Sequence, residues 1–126
     1  MAEGYSTAAL NSALDSIITT YPWIQLHTAA PGAAGTTAVA GNATRKDTSS
    51  SWAAASSGSK ASNADINWTD GEVDTTEDYT HFTLWTASTA GTFGFSGTVT
   101  ANSVNASGDD FTISSGGITI SGTPAS

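Results

Sequence analysis

The segment HFTLWTASTAGTFGFSGTVT, residues 81 to 100, constrains the fold more than any other part of the chain. It carries His81, Phe82, Leu84, Trp85, Phe93 and Phe95, and no Asp, Glu, Lys, Arg or Cys. From Tyr79 to Ala87, residues Thr80, Phe82 and Leu84 alternate with Tyr79, His81, Thr83 and Trp85. A period of two belongs to a strand, because successive side chains leave opposite faces of a pleated backbone. Ser88-Thr89-Ala90-Gly91 supplies small turn residues, and Thr92 to Thr100 continues as a second strand. The chain therefore invests its richest apolar stretch in a sheet, and that stretch carries little reactive chemistry.

One other period is visible. Leu10, Ala13, Leu14, Ile17, Ile18 and Tyr21 recur at helical spacing, with Asn11, Ser12, Asp15 and Thr19 opposite. Ser6 is a suitable N-cap, and Pro22 pushes the preceding residue out of the helical region. The spacing predicts an amphipathic helix over 6–21. So short a helix is marginal alone in water, and its apolar face is expected to dock on its own domain.

The remaining signals are short strands. Trp23, Gln25 and His27 alternate with Ile24, Leu26 and Thr28 up to Pro31-Gly32. Residues 30 to 63 are rich in Ala, Gly, Ser and Thr and read as long loops, with an edge strand around Trp52 from Thr48 to Ala55. Asp65 to Trp68 is a further strand candidate. Residues 110–113 and 118–121 read as a hairpin about Ser115-Gly116-Gly117. The expected fold is mainly β: an antiparallel, jelly-roll-like β-sandwich with one N-terminal amphipathic helix. All of 1–126 forms one domain, with the sandwich over 22–126. The expected core comprises Leu10, Leu14, Ile17, Ile24, Leu26, Phe82, Leu84, Trp85, Phe93, Phe95, Phe111, Ile113, Ile118 and Ile120.

Charge excludes several functions. Three basic residues stand against eleven acidic ones, a net charge of −8. Arg45, Lys46 and Lys60 are too few and too scattered to neutralise phosphates, so no nucleic-acid partner is expected. Anionic membranes repel such a chain as well. With no cysteine, disulfides and thiolate chemistry are absent. The start MAEGYSTAAL lacks the basic and apolar regions of a secretory signal, and synthesis in a host cytoplasm is expected. Four Trp, three Tyr and four Phe argue for a packed core over disorder.

Candidate sites are sparse. His27 and His81 are the only histidines, outside any HxH or HExxH pattern, and suit packed, hydrogen-bonded roles better than metal ligation. Asp70, Glu72, Asp74, Glu77 and Asp78 offer hard oxygens that suit calcium. The EF-hand spacing fails because the glycine stands at the second position of the loop, so a solvated acidic turn is the simpler reading. Gly94-Phe95-Ser96-Gly97 lacks the spacing of a nucleophile elbow. Glu72 and Asp78 form a carboxylate pair whose separation the sequence does not define. Trp52, Trp68 and Trp85 could stack on sugar rings if exposed, and core burial is the competing role. No enzyme activity and no cofactor are expected.

The segments WIQLHTAAPG, GNATRKD, HFTLWTASTAGTFGFSG and GDDFTISSGGITISG, in that order behind an N-terminal helix, resemble a family of small virion proteins of actinobacterial phages, known as tail-fibre-like or head-decoration proteins. The resemblance implies a β-sandwich component of a virion and carries no active site. Asn42-Ala43-Thr44-Arg45-Lys46 only loosely matches the Tyr-Ala-Arg-Gln element of that family. The implied partners are the major capsid protein or tail proteins of the same virion, and further copies of the chain. Acidity disfavours a surface lining packaged DNA, and the small size suits a cap on a lattice. Head decoration is therefore the expected role. A tail fibre or minor tail protein is the first alternative, and a carbohydrate-binding module for host glycans the second.

Overall fold

The computed structural model describes residues 4–41, 44–69, 72–73, 77–103 and 110–122. Its single helix, α1 (Thr7–Thr20), starts where the Ser6 side chain accepts a hydrogen bond from the Ala9 N–H at 3.2 Å. It ends as the Tyr21 N–H donates to Ile17 O at 2.7 Å, immediately before Pro22. Leu10, Leu14 and Ile18 are buried in the domain's own core, and Ile17 and Tyr21 pack half-buried beside them. The polar side of α1 is also engaged. Asn11 Oδ1 accepts the Gly58 N–H at 2.9 Å. Asp15 Oδ1 accepts the Ala55 N–H at 2.9 Å and the Lys60 ammonium at 2.7 Å. Lys60, only 6 % exposed, donates a second bond to Ala53 O at 2.8 Å. A buried ammonium is tolerated only when it is paired and hydrogen-bonded, and here the helix supplies a carboxylate and the adjoining loop a carbonyl.

A four-stranded antiparallel sheet forms the body of the fold. It contains β1 (Trp23–His27), β2 (Lys46–Asp47), β5 (Asp78–Trp85) and β6 (Phe93–Ser103) in the order β2-β1-β5-β6. Ile24 lies opposite Leu84, and Leu26 opposite Phe82. These four are buried against the main core, with Phe95 and Val99 of β6 packed half-buried at its margin. Trp23 opposite Trp85, Gln25 opposite Thr83 and His27 opposite His81 occupy the other face, as the period of two requires. The β5–β6 turn contains Ala90 at φ 55° and Gly91 at φ 78°. A Cβ on Gly91 would lie 2.6 Å from Thr86 Oγ1, so glycine is needed there for space as well as for its backbone.

The second layer comprises α1 and four short strands, β3 (Ser59–Ala61), β4 (Ile66–Trp68), β7 (Phe111–Ile113) and β8 (Thr119–Ser121). Here the expected hairpin is corrected. β7 and β8 do not pair with each other; β8 pairs with β3, and β7 with β4. Pairing runs from Ser59 with Ser121 to Ala61 with Thr119, then resumes from Ile66 with Ile113 to Trp68 with Phe111. One strand advances five residues across the gap and the other six. The two small sheets are thus the ends of one kinked ribbon with a one-residue bulge. Backbone donors at the kink cross to the partner strand. The Gly116 N–H reaches Ser62 O at 2.8 Å, the Ser62 N–H reaches Ile118 O at 3.0 Å, and the Ser115 N–H reaches Asp65 Oδ1 at 2.8 Å. This arrangement buries Ile66, Trp68, Phe111, Ile113, Ile118 and Ile120 together. Tyr79 stands edge-on to Phe111, with centroids 5.0 Å apart, and ties the ribbon to β5.

The stretch 30–63, expected as long loops, is more ordered than its composition suggests. It holds β2 and β3, a bridge from His27 to Val39, and one from Trp52 to Ser62 where an edge strand was expected.

Candidate functional site

The face of the four-stranded sheet turned away from the core carries a buried polar network. His27 on β1 and Thr83 on β5 are both fully buried. His27 Nδ1 lies 2.9 Å from the Thr37 carbonyl, and Nε2 lies 2.8 Å from Thr83 Oγ1. A carbonyl only accepts, so Nδ1 carries the proton. In the neutral ring Nε2 then accepts from the Thr83 hydroxyl. Thr83 Oγ1 in turn accepts the Trp85 indole N–H at 2.7 Å. The chain of donors from Trp85 through Thr83 and His27 to Thr37 is fully determined. Burial lowers the His27 pKa below its ordinary value; the bond to Thr37 opposes that, while the charges of His81 and Arg45 reinforce it.

Arg45 covers the same face. Its guanidinium sits 4.2 Å above the Trp85 ring, a cation–π geometry. Nε donates to Gln25 Oε1 at 3.3 Å, and Nη1 donates to Ala87 O at 2.9 Å and Ala90 O at 2.7 Å. The rigid fork of Arg thereby clamps the β5–β6 turn onto β1. Phe93 completes the patch, its ring centroid 5.6 Å from that of Trp85. Gly35 lies over Phe93 so closely that a Cβ would fall 2.7 Å from the ring. Trp85 and Phe93, both expected as core residues, form a second cluster on the face opposite the main core, Trp85 buried and Phe93 half-buried. The cause is that β5 is covered on both sides, which simple alternation does not reveal.

The described acidic candidates, Glu72, Glu77 and Asp78, do not converge on a metal site. Glu72 accepts from the Thr69 N–H at 3.0 Å and Thr69 Oγ1 at 2.7 Å, and forms an ion pair with Lys46. The Lys46 ammonium, with Thr69, pulls the Glu72 carboxyl down to about 2. Both Glu77 oxygens take the Gly41 N–H, at 2.9 and 3.0 Å. Asp78 opens β5 with its side chain exposed. Asp70 and Asp74 lie outside the described residues. Among the described residues, no group of three or more His, Cys, Asp and Glu is placed to hold a metal. His81 lies directly opposite His27, with its Nδ1 2.8 Å from Thr80 Oγ1.

The tryptophans do not form one platform. Trp68 is wholly buried, and Trp85 lies beneath Arg45. Trp52 donates its indole N–H to the buried Thr48 at 3.0 Å. Trp52 borders a cleft of about 460 Å³, together with Asp15, Ile18, Ser49 and Lys60. Among the described residues no helix is long and apolar enough to cross a membrane.

Sequence reasoning gave Arg45 no role of its own; it entered as one of three basic residues and within a loosely matching segment of the family pattern. Its rarity in a chain rich in Ser and Thr was the signal available, since a lone guanidinium has to answer several carbonyls at once.

A search of curated proteins returns no match. The family model described as podophage GP4 fiber I protein gp80 matches residues 1–121. That span takes in α1, all eight strands and both clusters described above. A fibre protein of this kind is a component of the phage virion, and the chain belongs to the podophage GP4 fiber I protein gp80 family.

Proposed function

We propose that the chain is a non-enzymatic structural component of a podophage fibre, held in place by contacts with other virion proteins and with further copies of itself. The observation that carries this reading is the family match over residues 1–121. It favours the tail-fibre alternative over the expected head decoration, because the family is described as a fibre protein. The chemistry of the fold points the same way. Lys46, Lys60, Arg45, Asp15 and Glu72 all spend their charges on contacts inside the chain. What remains for partners is a surface of hydroxyls, methyls and glycines set among unpaired acidic side chains such as the exposed Asp78, and its uncharged parts lose little hydration energy when covered.

Immunogold labelling of intact virions, with quantitative mass spectrometry of the same particles, tests the placement. Label at the tail and on the order of a dozen copies or fewer, as one closed symmetric assembly would give, supports the fibre. Label over the head, with copies on the order of hundreds as a lattice requires, would return the chain to head decoration.

A further inference from the structure

The sheet order β2-β1-β5-β6 leaves β6 with a hydrogen-bonded neighbour on one side only, among the described residues. Alternate residues of such a strand turn N–H and C=O groups away from that neighbour, where they can template another strand. Register slips occur between Tyr79 and His81 and between Leu84 and Trp85. Between them the pairing is regular, from Phe95 with Leu84 to Thr98 with His81. The extra residues of both slips lie on β6, between Phe93 and Phe95 and between Thr98 and Asn102, so the regular part of the open edge runs from Phe95 to Thr98.

Monomeric proteins usually guard such an edge with charge or proline. Residues 86 to 103 contain no charged residue and no proline, in a chain of net charge −8. Exposure alternates along the edge: Ser96 and Thr98 are exposed, and Phe95 and Val99 are half-buried. The last two already pack on the main core and retain surface that a neighbouring strand would cover.

We propose that β6 pairs antiparallel with β6 of a second copy of this chain, joining two four-stranded sheets into one of eight strands about a two-fold axis. Three features select a second copy. Two acidic chains repel over most of their surfaces, and β6 is a long stretch where that repulsion has no local source. A basic partner, by contrast, would be drawn to the acid-bearing parts of the chain and away from β6. The edge is also self-complementary. An isologous pairing sets Ser and Thr against Ser and Thr on one face and brings Phe95 and Val99 of both copies together on the other. The area is below the roughly 1,200–2,000 Å² of a standard interface, so the isolated dimer is weak and depends on concentration. The inference deepens the fibre reading, on which its setting in the virion rests; the pairing itself rests on the sheet.

The chain has no cysteine, so single thiols test the pairing cleanly. In the full 126-residue chain, Ser96→Cys and Thr98→Cys should yield roughly tenfold or more cross-linked dimer than Thr112→Cys, because pairing raises the local thiol concentration. Sedimentation of the unmodified chain should show a monomer–dimer equilibrium. The double variant Ser96→Lys/Thr98→Lys should stay monomeric with an unchanged melting temperature. Cross-link yields equal to the Thr112→Cys control, or a monomer at every concentration, would overturn the proposal. So would a thiol at position 96 that, in intact virions, links to a different protein. Immunogold placement does not depend on any of these outcomes, so failure here and failure of the fibre reading are separable.

Discussion

Replacing Thr83 with valine isolates the buried polar chain behind β1 and β5. The substitution keeps the shape of the side chain and removes one hydroxyl. That hydroxyl sits 2.8 Å from His27 Nε2 and 2.7 Å from the Trp85 indole nitrogen, with no exposure. In Thr83→Val the Trp85 donor and the His27 acceptor both lose their partner in a site that water does not reach. An unsatisfied buried polar group costs about 1–3 kcal/mol, so the pair should cost about 2–6 kcal/mol. A chain of this length unfolds with an entropy near 0.26 kcal/mol/K, so each kcal/mol lowers the melting temperature by about 4 °C. The expected drop is therefore about 8–23 °C in a thermal melt followed by circular dichroism. Thr112→Val is the control. Its hydroxyl donates to Asn67 Oδ1 at 2.6 Å on an exposed site, where water replaces the bond. It should stay within about 0.5 kcal/mol of the parent. If both variants lose the same stability, or Thr83→Val loses less than about 1 kcal/mol, burial is not what gives the network its weight.

Three further outcomes follow from the same geometry. Leu14, 4 % exposed at the centre of the apolar side of α1, should cost about 2–5 kcal/mol as Leu14→Ala in urea unfolding, and an unchanged midpoint would mean the helix docks elsewhere. The pKa of His27 is lowered on folding, so the unfolded chain binds more protons below 6.5. Stability should be complete above that pH and fall as the pH drops below it. The Glu72 carboxyl, held at about 2 against 4.5, adds stability that is present above 4.5 and lost as the pH falls toward 2. Denaturation midpoints across this range should therefore decline on acidification, and Glu72→Gln should remove the lower limb. Arg45→Lys keeps the charge but loses the fork to Gln25, Ala87 and Ala90, so amide exchange in residues 86–92 should accelerate while that of β4 stays unchanged.

The parts of this fold legible in the sequence are those whose signal is local. Ser6, Pro22 and the spacing of Leu10, Leu14 and Ile18 delimit α1 because a cap, a helix breaker and a 3.6-residue period each act within a few residues. The strands around Phe82 and Phe95 are legible for the same reason, as alternation is a property of one segment. Which strand pairs with which is not local. The Ser115-Gly116-Gly117 turn invites a hairpin, yet the donors of Ser115 and Gly116 find Asp65 and Ser62, some fifty residues earlier. A short hairpin of its own would have left β3 and β4 without partners and the ribbon's aromatic residues split between surfaces. The second cluster escaped for a related reason. Alternation divides β5 into two faces but does not say that both are covered, so the expected burial of Trp85 came without the face on which it occurs. Its cover comes from Arg45 and from the loop bearing Gly35, neither of which has a periodic signature. The acidic segment shows the limit from the other side. Its residue types suit calcium, but their partners decide their use, and Lys46 and the Gly41 amide claim Glu72 and Glu77 for the fold. In a chain with so few charges, each ionisable side chain that the fold claims is one fewer to serve a ligand. The unpaired acids hold like-charged neighbours off most of the surface, and the stretch from 86 to 103, free of charge, presents backbone and hydroxyl along the open edge of β6.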